Sequence, residues 1–230
     1  MKKMILLLTL SILLADGMAI SAPNFNGAWQ KLLGNNVTTL LLQDGYFTKT
    51  SYSGSKFDSS WGGIASVEGN VLRVNVEYHT STDTRKDTMR TMSFTLNKDE
   101  LVIDGSIYRR IDNGQAPLAG VWKISARKQE GKLTPIHGAG PRKTLKILTG
   151  NRFQWIAINS QTREFFGSGG GTYTFENGKY TENIDFFSRD SSRVGAQLSF
   201  DGKIEDGKWH HSGLSSRGDE IYEVWEKVNL

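Results

Sequence analysis

The sequence contains no cysteine and only four prolines among its 230 residues. The missing cysteines exclude a disulfide scaffold, a thiol nucleophile and a cysteine-ligated zinc or iron–sulfur site. A long apolar run is also missing: the stretch from Met4 to Ala15 has about 12 residues, and a membrane-spanning helix needs about 20. The remaining composition, 37% hydrophobic and 23% charged residues, is typical of a soluble globular protein.

The N-terminal segment has the pattern of an export signal. Lys2 and Lys3 precede the apolar stretch, and small residues follow it at Ala19 and Ala22. This order predicts a secretory signal peptide over residues 1–22 and an exported protein, periplasmic or extracellular. The chain without this segment has a net charge of only +3, which argues against a nucleic-acid-binding protein.

An internal repeat organises the rest of the chain. The motif Gly-x-Trp at 27–29 recurs at 120–122, and three later pairs of segments recur in the same order. Those pairs are Trp61–Gly63 with Gly169–Gly171, Ser93–Phe94 with Ser199–Phe200, and Ile107–Tyr108 with Ile221–Tyr222, at spacings of 108, 106 and 114. We therefore predict two related units, 24–112 and 117–230, each long enough for its own core.

Within the units the dominant hydrophobic period is two. Leu72, Val74, Val76 and Tyr78 alternate with polar residues, as expected for a strand with one face in the core. Asp-Gly and Asn-Gly pairs separate such runs and favour tight hairpin turns. The pattern predicts an all-β protein made of two tandem antiparallel up-and-down β-barrels, because closure removes exposed strand edges.

Several strings of residues carry a family resemblance. They are Gly120–Trp122, Phe165–Tyr173, Tyr180–Phe187 and Trp209–Leu214. These strings resemble the lipocalin-like (calycin) barrels, and the second unit resembles a family of uncharacterised exported bacterial proteins with that barrel. The likeness is good over 117–230 and only topological over 24–112. It implies lipocalin-like barrels in both units and brings no activity with it.

The two units have different residues at two equivalent strand positions. Val74 of the first unit corresponds to Glu182, and Ile103 corresponds to His211. Ionisable groups are costly to bury unless they are paired, so their presence inside a barrel indicates a hydrated or ligand-filled cavity. We therefore predict a packed, structural first barrel and a ligand-binding second barrel.

The predicted binding site consists of two polar residues, an aromatic wall and a loop. Glu182 and His211 orient the ligand, and the walls are Trp155, Tyr173, Tyr180, Phe186 and Trp209. The resemblance implies that the long first connection of the second unit covers the cavity mouth, so that His137 and Arg142 reach the ligand. In the alternative interpretation, Glu182 and His211 satisfy each other or a bulge turns them outward.

Basic residues predominate between Lys123 and Arg152. This segment contains eight basic residues and one acidic residue, Glu130. Such a charge attracts an anionic ligand or a polysaccharide, or else it is simply a solvated face. The predicted partner is a small molecule or an oligosaccharide.

Motifs of enzyme chemistry are mostly missing. The chain has no Gly-x-Ser-x-Gly, His-Glu-x-x-His, phosphate-loop or dinucleotide motif. The run Gly167–Gly171 is interpreted as a strand bulge, and His210 and His211 point to opposite sides of a strand, so neither a cofactor nor a metal is predicted. Two alternatives remain open: an isomerase or hydrolase that uses Glu182 and His211 as an acid/base pair, and a protein-interaction module with two filled barrels.

Overall fold

A computed structural model describes residues 25–82, 87–136, 140–215 and 217–230. The described chain is all-β, with strands arranged as two closed antiparallel barrels in tandem, and its one helical element is a short 3-10 turn at Ser191–Arg193. The predicted fold class is therefore confirmed. The predicted signal peptide and His137 lie outside the described residues. No helix in the described part of the chain is both long and apolar enough to cross a bilayer.

The first barrel is an eight-stranded meander in which each strand pairs with the next and the last closes on the first. Its strands are β1 (Gly27–Leu33), β2 (Asn36–Gln43), β3 (Tyr46–Ser53), β4 (Lys56–Glu68), β5 (Val71–His79), β6 (Met89–Asn97), β7 (Glu100–Ile103) and β8 (Ser106–Asp112).

The second barrel repeats this meander and adds one short strand at its first connection. Its strands are β9 (Gly120–Gln129), β10 (Lys132–Pro135), β11 (Arg142–Leu148), β12 (Arg152–Asn159), β13 (Phe165–Glu176), β14 (Lys179–Phe187), β15 (Gln197–Glu205), β16 (Lys208–Leu214) and β17 (Glu220–Lys227). Closure is by pairing of β17 with β9, and β10 pairs with β9 alone as an extra hairpin.

Four Asp-Gly and Asn-Gly pairs form hairpin turns as the sequence predicts, whereas Asp201-Gly202, also predicted to be a turn, lies inside strand β15. Asp44, Asp104, Asn177 and Asp206 all have φ between 46° and 51°, and the glycine after each also has positive φ. Two consecutive positive φ angles match the right-handed twist of the flanking strands, so these turns fix the register of the meander.

A β-bulge lies at the same place in both barrels. Opposite Gly62–Gly63 the extra residue is Glu77 on β5, and opposite Gly170–Gly171 it is Asp185 on β14. Each bulge holds the partner backbone so close that a Cβ on Gly171 would lie 1.9 Å from the carbonyl oxygen of Asn183. The glycine run is thus a bulge, as predicted.

The bulge also changes which way the end of the strand faces. The strand points Tyr180, Glu182 and Ile184 into the second barrel. Phe186 instead points outward and packs against Tyr52 of the first barrel, with ring centroids 5.3 Å apart. The prediction that Phe186 lines the interior is therefore wrong, because the extra residue Asp185, directly before it, interrupts the alternation.

Strand pairing also corrects two spacings in the repeat. The backbone N–H groups of Phe94 and Gly202 donate to Asn70 and Gly178, so these strands correspond at a spacing of 108 rather than 106. Leu101 faces Tyr108 and Trp209 faces Trp225, so the last strands correspond at 117 rather than 114.

Equivalent residues of the two barrels meet where the barrels pack together. Phe57 and Phe165 occupy matching positions, and their rings stack at 6.0 Å with an interplanar angle of 1°. Tyr78 stacks on Phe165 with ring centroids 5.9 Å apart. The equivalent pair, Phe186 and Phe57, has ring centroids 6.0 Å apart. The interface therefore has the two-fold character of an isologous dimer, within one chain.

A buried polar group lies at the centre of this interface. The Gln154 amide nitrogen donates to Ser60 at 3.2 Å and to its counterpart Ser168 at 3.0 Å. The Gln154 amide oxygen accepts from Thr48 at 2.8 Å and Thr50 at 3.1 Å. Because both ends of the amide are satisfied by hydroxyl groups, this network fixes the orientation of the barrels without leaving a buried polar atom unpaired.

Candidate functional site

A cavity of about 260 Å³ lies in the interior of the second barrel. Exposed Arg127 and half-buried Ser215 mark its mouth, while buried Glu182 and His211 belong to its inner part. The full set of lining residues is Ile124, Arg127, Thr144, Lys146, Trp155, Glu182, Ile184, Phe187, Leu198, Phe200, His211, Ser215, Ile221, Glu223 and Trp225.

Four strands of the second barrel bring ionisable side chains to this cavity. Lys146 comes from β11, Glu182 from β14, His211 from β16 and Glu223 from β17. Each lies on the face of its strand that alternation turns inward, and Lys146, Glu182 and His211 retain at most 5% of their exposure. The second barrel therefore has a charged interior.

Lys146 and Glu182 form a buried ion pair. The lysine Nζ donates to Glu182 Oε1 at 2.9 Å, and the Tyr180 hydroxyl donates to the same oxygen at 2.9 Å. The ammonium also lies 5.2 Å from the ring centroids of Tyr180, Trp209 and Trp225, which is a cation–π geometry. Burial and the adjacent Glu182 carboxylate raise the pKa of Tyr180 well above its ordinary value, so this phenol remains a proton donor.

His211 and Glu223 form a second pair closer to the mouth. The imidazole Nδ1 is 3.6 Å from Glu223 Oε2, and Arg127 donates to Glu223 Oε1 at 2.9 Å. Burial raises the pKa of Glu223, but His211, Lys146 and Arg127 together outweigh it and hold the value at about 2. Burial, followed by the charge of Lys146, lowers the pKa of His211, so the imidazole is neutral.

Several nitrogen atoms around the cavity have no hydrogen-bond partner. They are both ring nitrogens of His211 and the indole nitrogens of Trp209 and Trp225, all of them inaccessible to water. Buried polar groups in folded proteins are nearly always hydrogen-bonded, so each of these exceptions needs an explanation. Their concentration in one barrel interior distinguishes this region from ordinary core.

The residues predicted for the site divide into three groups. Glu182, His211 and Trp155 line the cavity. Tyr173, Tyr180 and Trp209 are buried in the aromatic cluster that packs around it and do not line it. Arg142, predicted to reach the ligand, is exposed and does not line the cavity, but it lines an adjoining pocket that shares Ile124, Arg127 and Thr144 with it.

Sequence reasoning missed Lys146 and Glu223. Lys146 was counted in the basic run, yet pairing places it opposite Trp122 as Leu40 lies opposite Trp29, so comparison of the two copies would have identified it. Glu223 was missed because the repeat was aligned three residues out of place at the last strand.

The basic run does not form a single charged surface. Lys146 is inside the barrel, Arg127 is paired with Glu223, and Arg152 bonds to Asp185 at 2.6 Å. Lys143 reaches Glu77 of the first barrel at 2.8 Å. Four of the eight basic residues thus form ion pairs with carboxylates of this chain. The run therefore has fewer unpaired positive charges than its composition suggests.

Glu182 and His211 line the same cavity, but they are not paired with each other. Glu182 accepts from Lys146 and Tyr180, and the carboxylate beside His211 is Glu223. His210 points to the outer wall and bonds to the Tyr222 hydroxyl at 2.9 Å. Within the described residues, no group of three or more histidine and acidic side chains is arranged to hold a metal ion.

No protein-family model matches this chain, and no curated protein matches it either.

Proposed function

We propose that this protein binds a small molecule inside its second barrel. The observation that carries the proposal is the cavity of about 260 Å³ in that barrel, surrounded by ionisable side chains and by nitrogens without hydrogen-bond partners. The equivalent interior of the first barrel contains the apolar side chains of Leu40, Val74 and Ile103. A fold that packs well without these polar groups has no structural need of them, so recognition of a ligand is their best explanation.

The charges around the cavity favour a neutral ligand. Lys146 is matched by Glu182, Arg127 is matched by Glu223, and His211 is neutral. An anionic or cationic ligand would upset this balance in an environment where unpaired charge is expensive. A cavity of about 150 Å³ accommodates benzene, so the available volume suits a molecule with one or two rings and a few polar groups, such as an aromatic alcohol or a single sugar unit.

Binding is better supported than acid/base catalysis. The acid/base alternative needs Glu182 and His211 to act together on one substrate. Glu182 instead accepts from Lys146 and Tyr180, and no hydrogen bond joins its carboxylate to His211 among the described contacts. The proposed role is therefore that of an exported, lipocalin-like binding protein, with the export supported by residues 1–22 and the relationship by the meander and the Gly-x-Trp motifs.

Closing the cavity tests the proposal. Thr144 lies on the inner face of β11 and lines the cavity, so a phenyl ring in Thr144→Phe would occupy the space of the ligand. We expect benzyl alcohol to bind the wild-type protein in isothermal titration calorimetry, and T144F to weaken that binding at least about tenfold, or about 1.4 kcal/mol.

The matched control is Thr181→Phe. Thr181 lies on the outer face of β14, where its hydroxyl contacts Ser199 at 3.1 Å, so T181F should leave the affinity unchanged. Equal affinities of T144F and T181F, or no binding of benzyl alcohol to the wild-type protein, would count against a ligand site in this barrel.

A further inference from the structure

The Lys146–Glu182 pair is not required by the barrel fold. At the same two positions the first barrel has Leu40 and Val74, both buried in its core. Replacing a buried ion pair by well-packed apolar residues is often neutral or stabilising, so a retained pair is weak evidence for stability. A lysine amine kept at a cavity wall under these conditions points to chemistry of the amine itself.

We propose that Lys146 is a carbonyl-binding residue, whose Nζ forms a reversible Schiff base with a small aldehyde or ketone in the cavity. The inference rests on the proposed function, since it names the ligand class of the same site. Lysine amines form Schiff bases with carbonyl compounds, and one way to activate a nucleophile is an adjacent base that takes its proton. Here the neighbour is Glu182, whose Oε1 is 2.9 Å from the amine.

The reaction is balanced with the groups present. Glu182 takes one proton from the Lys146 ammonium along their hydrogen bond, and the freed nitrogen lone pair attacks the carbonyl carbon to give a carbinolamine. The carbinolamine oxygen receives its protons from the nitrogen and from Glu182, and it leaves as water. The product is a protonated imine on Lys146 beside a Glu182 carboxylate. One C=N bond replaces one C=O bond, and the total charge of the site is unchanged.

The surroundings of Lys146 suit this product as well as they suit the ammonium. The protonated imine retains one positive charge at the same nitrogen, so Glu182 remains its counterion. The rings of Tyr180, Trp209 and Trp225, each 5.2 Å from that nitrogen, stabilise an iminium by the same cation–π interaction. The cavity beside the pair has room for the substituent that the carbonyl compound brings.

Reductive trapping tests the inference. The full-length protein is incubated with benzaldehyde and sodium cyanoborohydride, which reduces an imine to a stable secondary amine, and the modified lysines are identified by peptide mass spectrometry. We expect Lys146 to be modified at least about tenfold faster than the exposed Lys179, because the cavity holds the aldehyde next to the amine.

Two variants separate the amine from the fold. Lys146→Arg keeps a cation for Glu182, but a guanidinium forms no imine under these conditions. The double variant K146L/E182V reproduces the Leu40 and Val74 pair of the first barrel, so it should fold, as checked by circular dichroism and urea denaturation. Both variants should lose the trapped adduct at position 146, and Lys179→Arg should retain it.

The outcomes distinguish this inference from the proposed function. If benzyl alcohol binds but benzaldehyde modifies Lys146 no faster than Lys179, the Schiff-base inference is wrong and the binding site stands. If neither compound binds and Lys146 is not modified preferentially, both are wrong. Preferential modification of Lys146 that disappears in K146R and in K146L/E182V supports the inference.

Discussion

The two barrels share a strand order, a bulge and hairpin turns, yet they differ in what fills them. Leu40, Val74 and Ile103 of the first barrel become Lys146, Glu182 and His211 in the second. Polar side chains do occur in the first barrel: burial lowers the pKa of Lys49, which lies beside Leu40, and the His79 ring stacks on Trp61 with ring centroids 6.4 Å apart.

The comparison teaches that this fold does not depend on its interior charges. The first barrel demonstrates, within the same molecule, that an apolar set of side chains closes the meander. What the second barrel gains is a charged and partly unsatisfied cavity. Features common to both copies, such as the Gly-x-Trp motif and the bulge, therefore belong to the fold, whereas the differences at inward positions belong to the proposed binding site.

The largest effect is expected from breaking the buried ion pair on one side. In Glu182→Val the residue becomes that of the first barrel, but Lys146 is left without its counterion. We expect a loss of about 3–5 kcal/mol in the free energy of unfolding, measured by urea denaturation. Restoring the match in K146L/E182V should recover that loss and add up to about 4 kcal/mol.

An exposed ion pair supplies the control. Asp201→Ala removes the partner of Lys179 on the outer wall, where such pairs contribute about 1 kcal/mol or less. If E182V were as stable as D201A, Lys146 would not be confined to the barrel, and the contrast between the two interiors would lose its energetic meaning.

An intermediate effect is expected at the interface that relates the two barrels. Gln154→Ala removes four hydrogen bonds and leaves buried hydroxyl groups at Ser60 and Ser168 without that partner. We expect unfolding to become easier by about 1–3 kcal/mol, in a transition that still includes both barrels. The exposed amide of Gln197, which bonds to Asn183, is the control, and Gln197→Ala should change stability by about 0.5 kcal/mol at most.

Two separate unfolding transitions in the wild-type protein would contradict this prediction. They would mean that each barrel is stable by itself, and that the Gln154 network joins two independent units rather than one cooperative structure.

The smallest effect is expected from the pH dependence of His211. Burial and Lys146 lower the pKa of this imidazole, while Glu223 and Glu182 act in the opposite direction. As the pH falls below about 6.5, the unfolded chain binds a proton that the folded chain does not, so stability falls by up to about 1.4 kcal/mol per pH unit until the folded-state pKa is reached.

Substituting the residue of the first barrel tests this contribution. His211→Ile reproduces Ile103 and should flatten the decrease in stability below pH 6.5, as measured by urea denaturation at a series of pH values. His79, whose pKa is also lowered, contributes equally to both proteins and cancels in the difference. If the free energy of unfolding of H211I fell as steeply below pH 6.5 as that of the wild-type protein, a group other than His211 would be responsible for the decrease.

The fold could be predicted because its determinants are local. Strand alternation around Leu72 and Val74, and turn pairs such as Asp44-Gly45 and Asn177-Gly178, specify hairpins between neighbours in the sequence. A closed meander needs little beyond such hairpins, so the order of its strands follows the order of the chain.

The candidate site could be predicted only in part, because the side of the strand to which a residue points is not a local property of the sequence. Lys146 sits among other basic residues, and only its pairing opposite Trp122 shows that it faces inward. Phe186 was placed inside because its spacing from Tyr180 and Glu182 is even, but the extra residue Asp185 reverses the alternation. The glycines that permit this bulge were recognised, whereas its effect on the following residue required the strand register.

The near-symmetric contact between the barrels has one more consequence. If two identical chains met through the same faces, every substitution would appear twice, and a lysine–glutamate pair suited to one pocket would have to be accommodated in the other as well. Covalent continuity through residues 113–119 removes that constraint, because each half now has its own sequence. The first barrel can keep an apolar interior and cover the matching surface of the second. The second barrel can then acquire the buried charged groups that the proposed site needs.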